Sequence, residues 1–336
     1  MNFIDNKSMI YVVCPYYNKT GGTELAHQLV YTICKLGGKA EITYYGDKDA
    51  RKEINPAFLQ YTKKYVDISQ IEDSKHNIIV LPEIRPDLAD GMKNIQKCVW
   101  WMSVDNFLKR DGVQGFVNYY GVLRTIRHIF LGHVQFKRYK FLPDVTHLYQ
   151  SEYAHQFLTQ NGVTKCHRLS DYINKIYLED DQTFDLENRK NQVLYNPKKG
   201  FAFTKKIMQA TPDLTWIPIQ NMTTEEVHRL LKESKVYVDF GNHPGKDRFP
   251  REAAISMCCI ITGKRGSAKY YQDIPISDAY KFEDKDENVA AIAGQIRKCL
   301  NEYKKMACDF QVYRDFIYSE PMLFENDVKE LFITKK

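Results

Sequence analysis

The segment 243–252, with the sequence HPGKDRFPRE, holds the residues best suited to chemistry. It lies between an apolar, strand-like run and a run of small residues typical of a helix start, and Pro250 suits the first helical position, where a missing N–H costs nothing. Three cations share the segment: Lys246, Arg248 and Arg251. The N–H groups and the positive dipole end of a helix start favour an anion, and the cations add to that preference. The segment therefore predicts a site for a phosphate or diphosphate group.

Two more loops combine glycine with basic residues directly after a predicted strand. One is 197–200, which contains Lys199 and Gly200, and the other is 263–266, which is followed by Ser267. Because the strand ends of a parallel sheet open at one edge, the three loops could converge on one polyanionic ligand. The chain has neither a Gly-x-Gly-x-x-Gly nor a Gly-x-x-x-x-Gly-Lys-Ser/Thr sequence, which argues against a nicotinamide site and against a P-loop.

Loops that converge in this way must follow parallel strands. The sequence provides such strands as short apolar runs, which alternate with segments of helical periodicity. The predicted strands are 9–14, 40–45, 77–81, 98–103 and 146–149 in the first half and 192–195, 215–219, 236–240 and 258–262 in the second. The acidic, polar stretch 179–191 is predicted to be the domain linker. The predicted fold is α/β, with two Rossmann-like domains facing across a cleft at the strand ends. These domains occupy 1–180 and 190–310, and a C-terminal helix over 311–336 could pack back on the first domain.

The composition of the chain limits the classes of protein to which it can belong. At 336 residues, 43% of them hydrophobic, the chain can bury two cores. No run approaches the roughly 18 apolar residues of a membrane span, and the N-terminus lacks an export signal, so a cytoplasmic protein is expected. The eight cysteines include no Cys-x-x-Cys pair, which predicts free thiols and no zinc site. The net charge of +6 is too mild to imply nucleic acid unless it is concentrated in one place.

The segment 112–143 concentrates positive charge among aromatic residues. It contains seven Phe or Tyr residues and no Asp or Glu. Its five cations are Arg124, Arg127, Lys137, Arg138 and Lys140. Three interpretations stay open: a surface that rests on anionic lipid headgroups, an RNA-binding surface, and a solvated helical hairpin that binds nothing. Lipid is the preferred partner. Nucleic acid is the least favoured, because the rest of the chain has no other basic patch of this size.

Two motifs resemble those of GT-B glycosyltransferases. Gly21, Gly22 and Glu24, followed by leucines at helical spacing, resemble the Gly-Gly-x-Glu turn and first helix of the acceptor-side domain. The segment 251–261, REAAISMCCII, is similar to the donor-side pattern of the large retaining nucleotide-sugar family, in which a glutamate begins a small-residue helix that runs into a buried strand. The order of elements is similar over nearly the whole chain. The resemblance implies an acceptor-binding first domain and a donor-binding second domain.

The resemblance also implies roles for individual residues in a nucleotide-sugar site. Glu252 would accept hydrogen bonds from the ribose hydroxyls, and Lys199 with Arg248 or Lys246 would hold the diphosphate and stabilise its charge as the glycosidic bond breaks. Arg248 is the better of the latter two because its guanidinium is bidentate. Asp105 would lie near the transferred sugar. The remaining donor-site residues are Gly200, His243, Gly245, Gly263, Gly266 and Ser267.

One position departs from the family. A second glutamate, expected eight residues before Glu252 to contact the donor sugar, is replaced by Pro244. Four nearby polar residues could substitute for it: Asp239, Asn242, His243 and Asp247. The donor sugar and the retention of configuration therefore stay open. No nucleophile or base is assigned, since a retaining transfer in which the leaving diphosphate accepts the acceptor proton needs neither.

The function that the resemblance implies is transfer of a hexose from a nucleotide-diphosphate sugar to a glycan or lipid-linked acceptor. The expected setting is surface polysaccharide biosynthesis, such as that of capsule or lipopolysaccharide, and the family's chemistry makes a retaining, metal-independent transfer without further cofactors the expectation. Lipid contact through 112–143 would hold the enzyme at the inner face of the membrane. Two alternatives stay open: another GT-B activity, as a sugar-nucleotide epimerase or a phosphorylase, and a non-catalytic nucleotide- or glycan-binding protein.

Overall fold

The computed structural model describes residues 4–46, 52–131, 134, 138–179 and 184–333. Its contacts divide the chain into two compact units. Unit 1 comprises Met1–Asp171 and Met322–Lys336, and unit 2 comprises Tyr172–Pro321. Each unit is built on a parallel β-sheet, so the predicted α/β class with two parallel-sheet domains is confirmed.

Unit 1 has a seven-stranded sheet with the order β3-β2-β1-β4-β5-β6-β7. The strands are β1 Ile10–Pro15, β2 Ala40–Tyr45, β3 Tyr65–Asp67, β4 Ile78–Pro82, β5 Gln96–Trp101, β6 Thr146–Tyr149 and β7 Cys166–Arg168. Strands β1 and β4 are apolar and buried, as central parallel strands are. The chain builds outward from β1 and then restarts on its other side at β4, which creates a topological switch point between these two strands.

The helices of unit 1 are α1 Gly21–Lys35, α2 Val104–Leu108, α3 Gly112–Tyr120, α4 Val122–Phe130 and α5 Glu152–Gln160. Hydroxyl side chains start three of them by accepting a backbone N–H: Thr20 at α1, Ser103 at α2 and Ser151 at α5. Trp100 and Trp101, at the end of β5, are buried in the core. Helices α3 and α4 form the first part of the basic, aromatic segment 112–143. Lys137, one of its five cations, lies outside the described residues.

Unit 2 has a five-stranded sheet with the order β12-β11-β10-β8-β9. The strands are β8 Lys190–Tyr195, β9 Thr215–Pro218, β10 Ser234–Asp239, β11 Cys259–Gly263 and β12 Lys281–Phe282. The helices are α6 Lys175–Leu178, α7 Phe201–Ala210, α8 Thr224–Glu233, α9 Arg248–Ile255, α10 Val289–Asn301 and α11 Tyr303–Cys308, and α12 Gln311–Phe332 begins in this unit. Across the described residues of both units, no helix combines the length and apolar character that a bilayer span requires.

The contacts divide the two units at Asp171, before the polar stretch 179–191 that the sequence suggests as the linker. The residues in between belong to unit 2 because Ile173 and Tyr177 are buried in its core. The terminal helix is α12, which begins within unit 2, and the residues from Met322 onward are assigned to unit 1.

Candidate functional site

The three glycine loops of unit 2 are in contact at the carboxyl edge of its sheet. Gly200 has a φ of +61°, and a Cβ atom at this position would lie 2.2 Å from the carbonyl oxygen of Phe240. Gly266 has a φ of +55°, and its Cβ would lie 1.9 Å from the carbonyl oxygen of His243. Gly263, the last residue of β11, is buried against the Phe240 ring. The loop after β10 thus meets the loops after β8 and β11 backbone to backbone. No side chain fits at Gly200 or Gly266, whereas a Cβ at Gly263 would lie at an ordinary contact distance.

Hydrogen bonds and an ion pair join the same loops. Ser267 donates its N–H to the carbonyl of His243 at 2.8 Å and its hydroxyl to the carbonyl of Gly245 at 2.6 Å. Lys199, from the loop after β8, pairs with Asp247, with 2.7 Å between Nζ and Oδ2. The central loop is therefore fixed from both sides, by the loop after β8 and by the loop after β11.

Helix α9 begins at Arg248, with Asp247 as its N-cap residue. The sequence suggests that Pro250 is the first helical residue, but it is the third. It is still within the first turn, where its missing N–H breaks no helical hydrogen bond. Asp247 makes no side-chain capping hydrogen bond to the helix. The reason is that its carboxylate pairs with Lys199 and lies 3.2 Å from Nδ1 of His243.

His243 is fully buried between two carboxylates. Its Nε2 lies 3.7 Å from Oδ1 of Asp239, and its Nδ1 faces Oδ2 of Asp247 at 3.2 Å. Burial lowers the pKa of His243, but the charges of Asp239 and Asp247 outweigh it, so the pKa lies above its ordinary value of 6.5. Burial likewise raises the pKa of Asp247, whereas His243 and Lys199 lower it to a value below 3.8. The cluster favours an imidazolium held between two carboxylates.

The side chains of Asp239, His243 and Asp247 are also of the types that bind divalent cations, and their ligand atoms lie within 4.8 Å of one another. The ammonium group of Lys199 already supplies positive charge to Asp247 at 2.7 Å. Metal independence stays a prediction.

Lys246 and Arg251 share one buried carboxylate, that of Glu320 on α12. Nζ of Lys246 is 2.6 Å from Oε1 of Glu320, and Nη1 of Arg251 is 2.9 Å from Oε2. These three side chains are at most 5% exposed. The two cations therefore stabilise the loop after β10 through their ion pairs with Glu320, and the protein itself neutralises their charge. Lys199 and Arg248 are partly exposed, so they are better placed than Lys246 to meet an anionic ligand.

Glu252 lies in the second turn of α9 and is 7% exposed. Its carboxylate accepts a hydrogen bond from the hydroxyl of Tyr177 in α6. Burial, with the charge and hydrogen bond of Glu252, raises the pKa of Tyr177 well above 10, whereas Arg248 lowers it. Tyr177 thus stays a hydrogen-bond donor at neutral pH. The carboxylate of Glu252 is an acceptor-only group, as the predicted contact with ribose hydroxyls requires.

The residues predicted for the acceptor-side loop lie in unit 1, and so does Asp105, which was predicted to lie near the transferred sugar. Gly21 and Gly22 are the first residues of α1. Glu24 is buried and accepts a tyrosine hydroxyl at 3.1 Å. Asp105 lies in the first turn of α2 and accepts the hydroxyl of Tyr153 at 2.8 Å. Glu24 and Asp105 therefore both help to hold neighbouring elements of unit 1 together.

Sequence reasoning missed two residues that shape the site in unit 2. Tyr177 lies in a four-residue helix and has no motif around it. Glu320 lies far along the chain from the loop that it neutralises. The signal available for Glu320 is chemical: if Lys246 and Arg251 are buried, a carboxylate must accompany them, because unpaired buried charge is strongly destabilising.

Several solved structures are similar to this chain over almost its whole length. A glycosyltransferase from Rickettsia africae ESF-5 is 13% identical with a TM-score of 0.57, and the match covers 97% of this chain and 100% of that one. Anabaena HepE, solved with UDP-glucose, is 9% identical with a TM-score of 0.60, and the match covers 96% of this chain and 99% of HepE. T4 phage BGT, solved with UDP and Mn²⁺, is 10% identical with a TM-score of 0.53, at 96% and 99% coverage.

No protein-family model and no curated protein matches the sequence. At identities of 9–13% the likeness to solved structures concerns the fold alone. The chain has two units, each with a parallel sheet, and it is similar to these structures along nearly its full length. It therefore has the GT-B glycosyltransferase fold.

Proposed function

We propose that this protein is a glycosyltransferase that moves a sugar from a nucleotide-diphosphate donor to a glycan or lipid-linked acceptor in surface polysaccharide biosynthesis. The observation that carries the proposal is the contact of three glycine loops at the carboxyl edge of the unit 2 sheet, with Lys199 and Arg248 partly exposed beside them. Solved structures of the same fold contain UDP or UDP-glucose, which favours a nucleotide sugar as the ligand of these loops.

In the proposed complex, the diphosphate meets Arg248, Lys199 and the first turn of α9. Arg248 can donate two parallel hydrogen bonds to phosphate oxygens, and the helix dipole adds attraction for the negative charge. As the bond between the anomeric carbon and the phosphate oxygen breaks, these groups stabilise the charge that develops on the leaving diphosphate. Glu252 would accept hydrogen bonds from the ribose hydroxyls, because a carboxylate is an acceptor-only group.

Calorimetric titration with UDP and GDP tests the donor site. Arg248→Ala removes a charged hydrogen bond worth about 1.5–3 kcal/mol, so it should weaken the binding nucleotide roughly 10- to 150-fold. Glu252→Ala should weaken binding by a similar factor. Arg297→Ala is the matched control, because Arg297 is a partly exposed cation on α10 whose partner is Asp213, outside the three loops.

Two results would contradict the donor assignment: the absence of binding by any nucleotide, or equal affinities for the wild type and the two loop variants. Measurement of turnover distinguishes a glycosyltransferase from an epimerase and from a non-catalytic binding protein. Product formed without an acceptor would indicate an epimerase, whereas binding without turnover or slow donor hydrolysis would indicate a non-catalytic protein.

We also propose that α4 rests on an anionic membrane surface and brings the enzyme to a lipid-linked acceptor at the inner face of the membrane. Leu123 and Phe130 are each 86% exposed, and Ile126 is 46% exposed. Their i, i+3, i+7 spacing places them on one face of the helix. Arg124 and Arg127 are exposed on the same short helix. Apolar side chains with adjacent cations suit the boundary between lipid headgroups and acyl chains.

Flotation with vesicles of phosphatidylglycerol and phosphatidylcholine tests the membrane proposal. Each basic residue near an anionic surface contributes about 1 kcal/mol, so replacing Arg124 and Arg127 with Gln should reduce binding about 30-fold, and Leu123→Ser with Phe130→Ser should reduce it as well. Arg297→Gln is the charge control. Equal flotation of all variants, or equal binding to vesicles of pure phosphatidylcholine, would contradict the proposal.

A further inference from the structure

Three charged side chains of unit 2, those of Lys199, Asp247 and His243, form a continuous path from the surface to the interior. Oδ2 of Asp247 lies 2.7 Å from Nζ of Lys199 and 3.2 Å from Nδ1 of His243. The two nitrogens therefore share one carboxylate oxygen. The Lys199 side chain is 36% exposed, whereas that of His243 is fully buried. A ligand in solution can thus reach the lysine end of the path but not the histidine end.

His243 faces a second carboxylate on its other side. Oδ1 of Asp239 lies 3.7 Å from Nε2 of the imidazole, and Asp239 itself accepts the hydroxyl of Tyr237 at 2.8 Å. The loop after β11 contributes a neutral contact, the N–H that Ser267 donates to the carbonyl of His243. Among the described residues, neither ring nitrogen of His243 has a hydrogen-bond partner. The neighbouring groups therefore act on the imidazole through their charge.

Two other cations of the same loop are held by the protein itself. Lys246 and Arg251 lie on either side of Asp247 along the chain, and both pair with the buried carboxylate of Glu320. Nε of Arg251 also donates to the backbone carbonyl of Asp247 at 3.2 Å. Lys199 differs from these two because it is partly exposed and its partner is Asp247. It is therefore the cation that an anionic ligand can draw away from the path.

The ammonium group of Lys199 opposes protonation of His243. Burial lowers the pKa of His243, the charges of Asp239 and Asp247 raise it, and the charge of Lys199 lowers it. A phosphate bound at Lys199 would turn the ammonium group towards the phosphate oxygens and add negative charge of its own. The carboxylate of Asp247 would then have the imidazole as its nearest possible cation, and an opposite charge nearby favours the charged form.

We propose that binding of the donor diphosphate at Lys199 and protonation of His243 are coupled through Asp247, so that the nucleotide sugar and a proton bind together. The inference rests on the proposed donor site. In the unbound protein Lys199 neutralises Asp247. When the diphosphate takes Lys199, a proton from water binds the unprotonated ring nitrogen of His243, and the imidazolium replaces the ammonium group as the cation beside Asp247. The coupling is reciprocal, since a proton on His243 strengthens diphosphate binding by the same factor.

Coulomb's law gives the size of the effect. Two unit charges about 6 Å apart at an effective dielectric constant of about 20 shift a pKa by about 2 units, and the partial exposure of Lys199 reduces this to about 1 unit. A shift of one unit corresponds to a tenfold change in affinity. The donor should therefore bind most tightly below the pKa of His243 in the free protein, which lies above 6.5. Its affinity should fall about tenfold as the pH rises through that pKa, and level off above the pKa in the complex.

Calorimetric titration with UDP-glucose and GDP-mannose measures the coupling, with EDTA present to keep divalent cations from the two carboxylates. The phosphates of these donors are diesters without a proton near neutral pH, whereas the terminal phosphate of UDP has a pKa of about 6. Titration in buffers of small and large ionisation enthalpy gives the number of protons taken up. Between pH 6 and 9 we expect the wild type to take up as much as one proton and to lose affinity about tenfold. His243→Gln should show neither effect, and His155→Gln, a change on α5 of unit 1, should behave as the wild type.

The free protein tests the same path without a ligand. Histidine labelled with ¹⁵N gives the pKa of His243 by NMR, and the signal that is absent from His243→Gln identifies it. Lys199→Gln removes the ammonium group, so the pKa of His243 should rise by about 1 unit. Arg297→Gln removes a cation outside the three loops and should leave that pKa unchanged.

Failure of the coupling and failure of the donor proposal give different results. If no nucleotide sugar binds at any pH, the proposed function fails and the coupling falls with it. If a donor binds with constant affinity from pH 6 to 9 and without proton uptake, or if uptake persists in His243→Gln, the coupling alone is overturned. An unchanged pKa of His243 in Lys199→Gln would also overturn it. The wild-type titration and Lys199→Gln decide the question even if His243→Gln does not fold.

Discussion

Replacement of Gly266 by alanine tests whether the loops of unit 2 touch as closely as their geometry indicates. The new Cβ would lie 1.9 Å from the carbonyl oxygen of His243, whereas ordinary van der Waals contact begins near 3.4 Å. The two loops must therefore separate by about 1.5 Å. Such a shift breaks the hydrogen bonds from Ser267 to the carbonyls of His243 and Gly245.

The expected destabilisation follows from these contacts. A left-handed alanine costs about 1–2 kcal/mol, and two lost hydrogen bonds cost roughly 1 kcal/mol each. The sum is about 3–4 kcal/mol, which lowers Tm by roughly 10 °C in a unit of this size. Because a displacement of about 1 Å in a catalytic site can reduce activity 100-fold, we also expect kcat/KM for the nucleotide sugar to fall by about that factor.

Two glycines provide matched controls for Gly266→Ala. Gly162 has a φ of +74° with open space around its Cβ position, so Gly162→Ala should show only the backbone cost, about 1–2 kcal/mol. Gly294 lies inside α10 with nothing within 4 Å and no positive φ, so Gly294→Ala should stabilise the protein by up to about 1 kcal/mol. Thermal and urea unfolding measure all three. If Gly266→Ala is no less stable than Gly162→Ala, the close contact of the loops is refuted.

Two further predictions concern buried charge in unit 2. Glu320→Ala should lower the free energy of unfolding by about 3–5 kcal/mol in urea titrations, because two buried cations lose their shared carboxylate; a loss below 1 kcal/mol would show that the pairs do not form. His243 has a pKa above 6.5 because its flanking carboxylates outweigh burial, so its contribution to stability is fully present below about pH 6.5 and is lost as pH rises through the folded-state pKa. The stability advantage of the wild type over His243→Gln should therefore shrink as pH rises, and a constant difference from pH 5 to 9 would contradict this.

The central strands of each sheet could be predicted because each is a continuous apolar run in the sequence. The runs around β1, β4, β10 and β11 are buried nearly throughout, and the pattern of such strands needs no tertiary information. Three of the four edge strands, β3, β7 and β12, have two or three residues each, too short to show a period. The fourth, β9, has four residues and was predicted. Sequence therefore predicts the centre of each sheet better than its edges.

The convergence of the glycine loops also followed from the sequence, because strand order along the chain and parallel direction bring strand ends to one edge. The partners of the charged residues in these loops could not be predicted from the sequence. Whether Lys246 faces a ligand or Glu320 depends on where α12 packs, and no local pattern encodes that packing.

Helix α9 starts without the side-chain cap that Thr20, Ser151 and Thr223 give to α1, α5 and α8. A capping bond is worth about 1 kcal/mol, so the first turn of α9 should open more often than those of its capped counterparts in the unbound protein. A phosphate bound at this turn would act as the absent cap. Part of the binding free energy would then be retained as local order, which amide hydrogen exchange would detect as slower exchange in the first turn of α9.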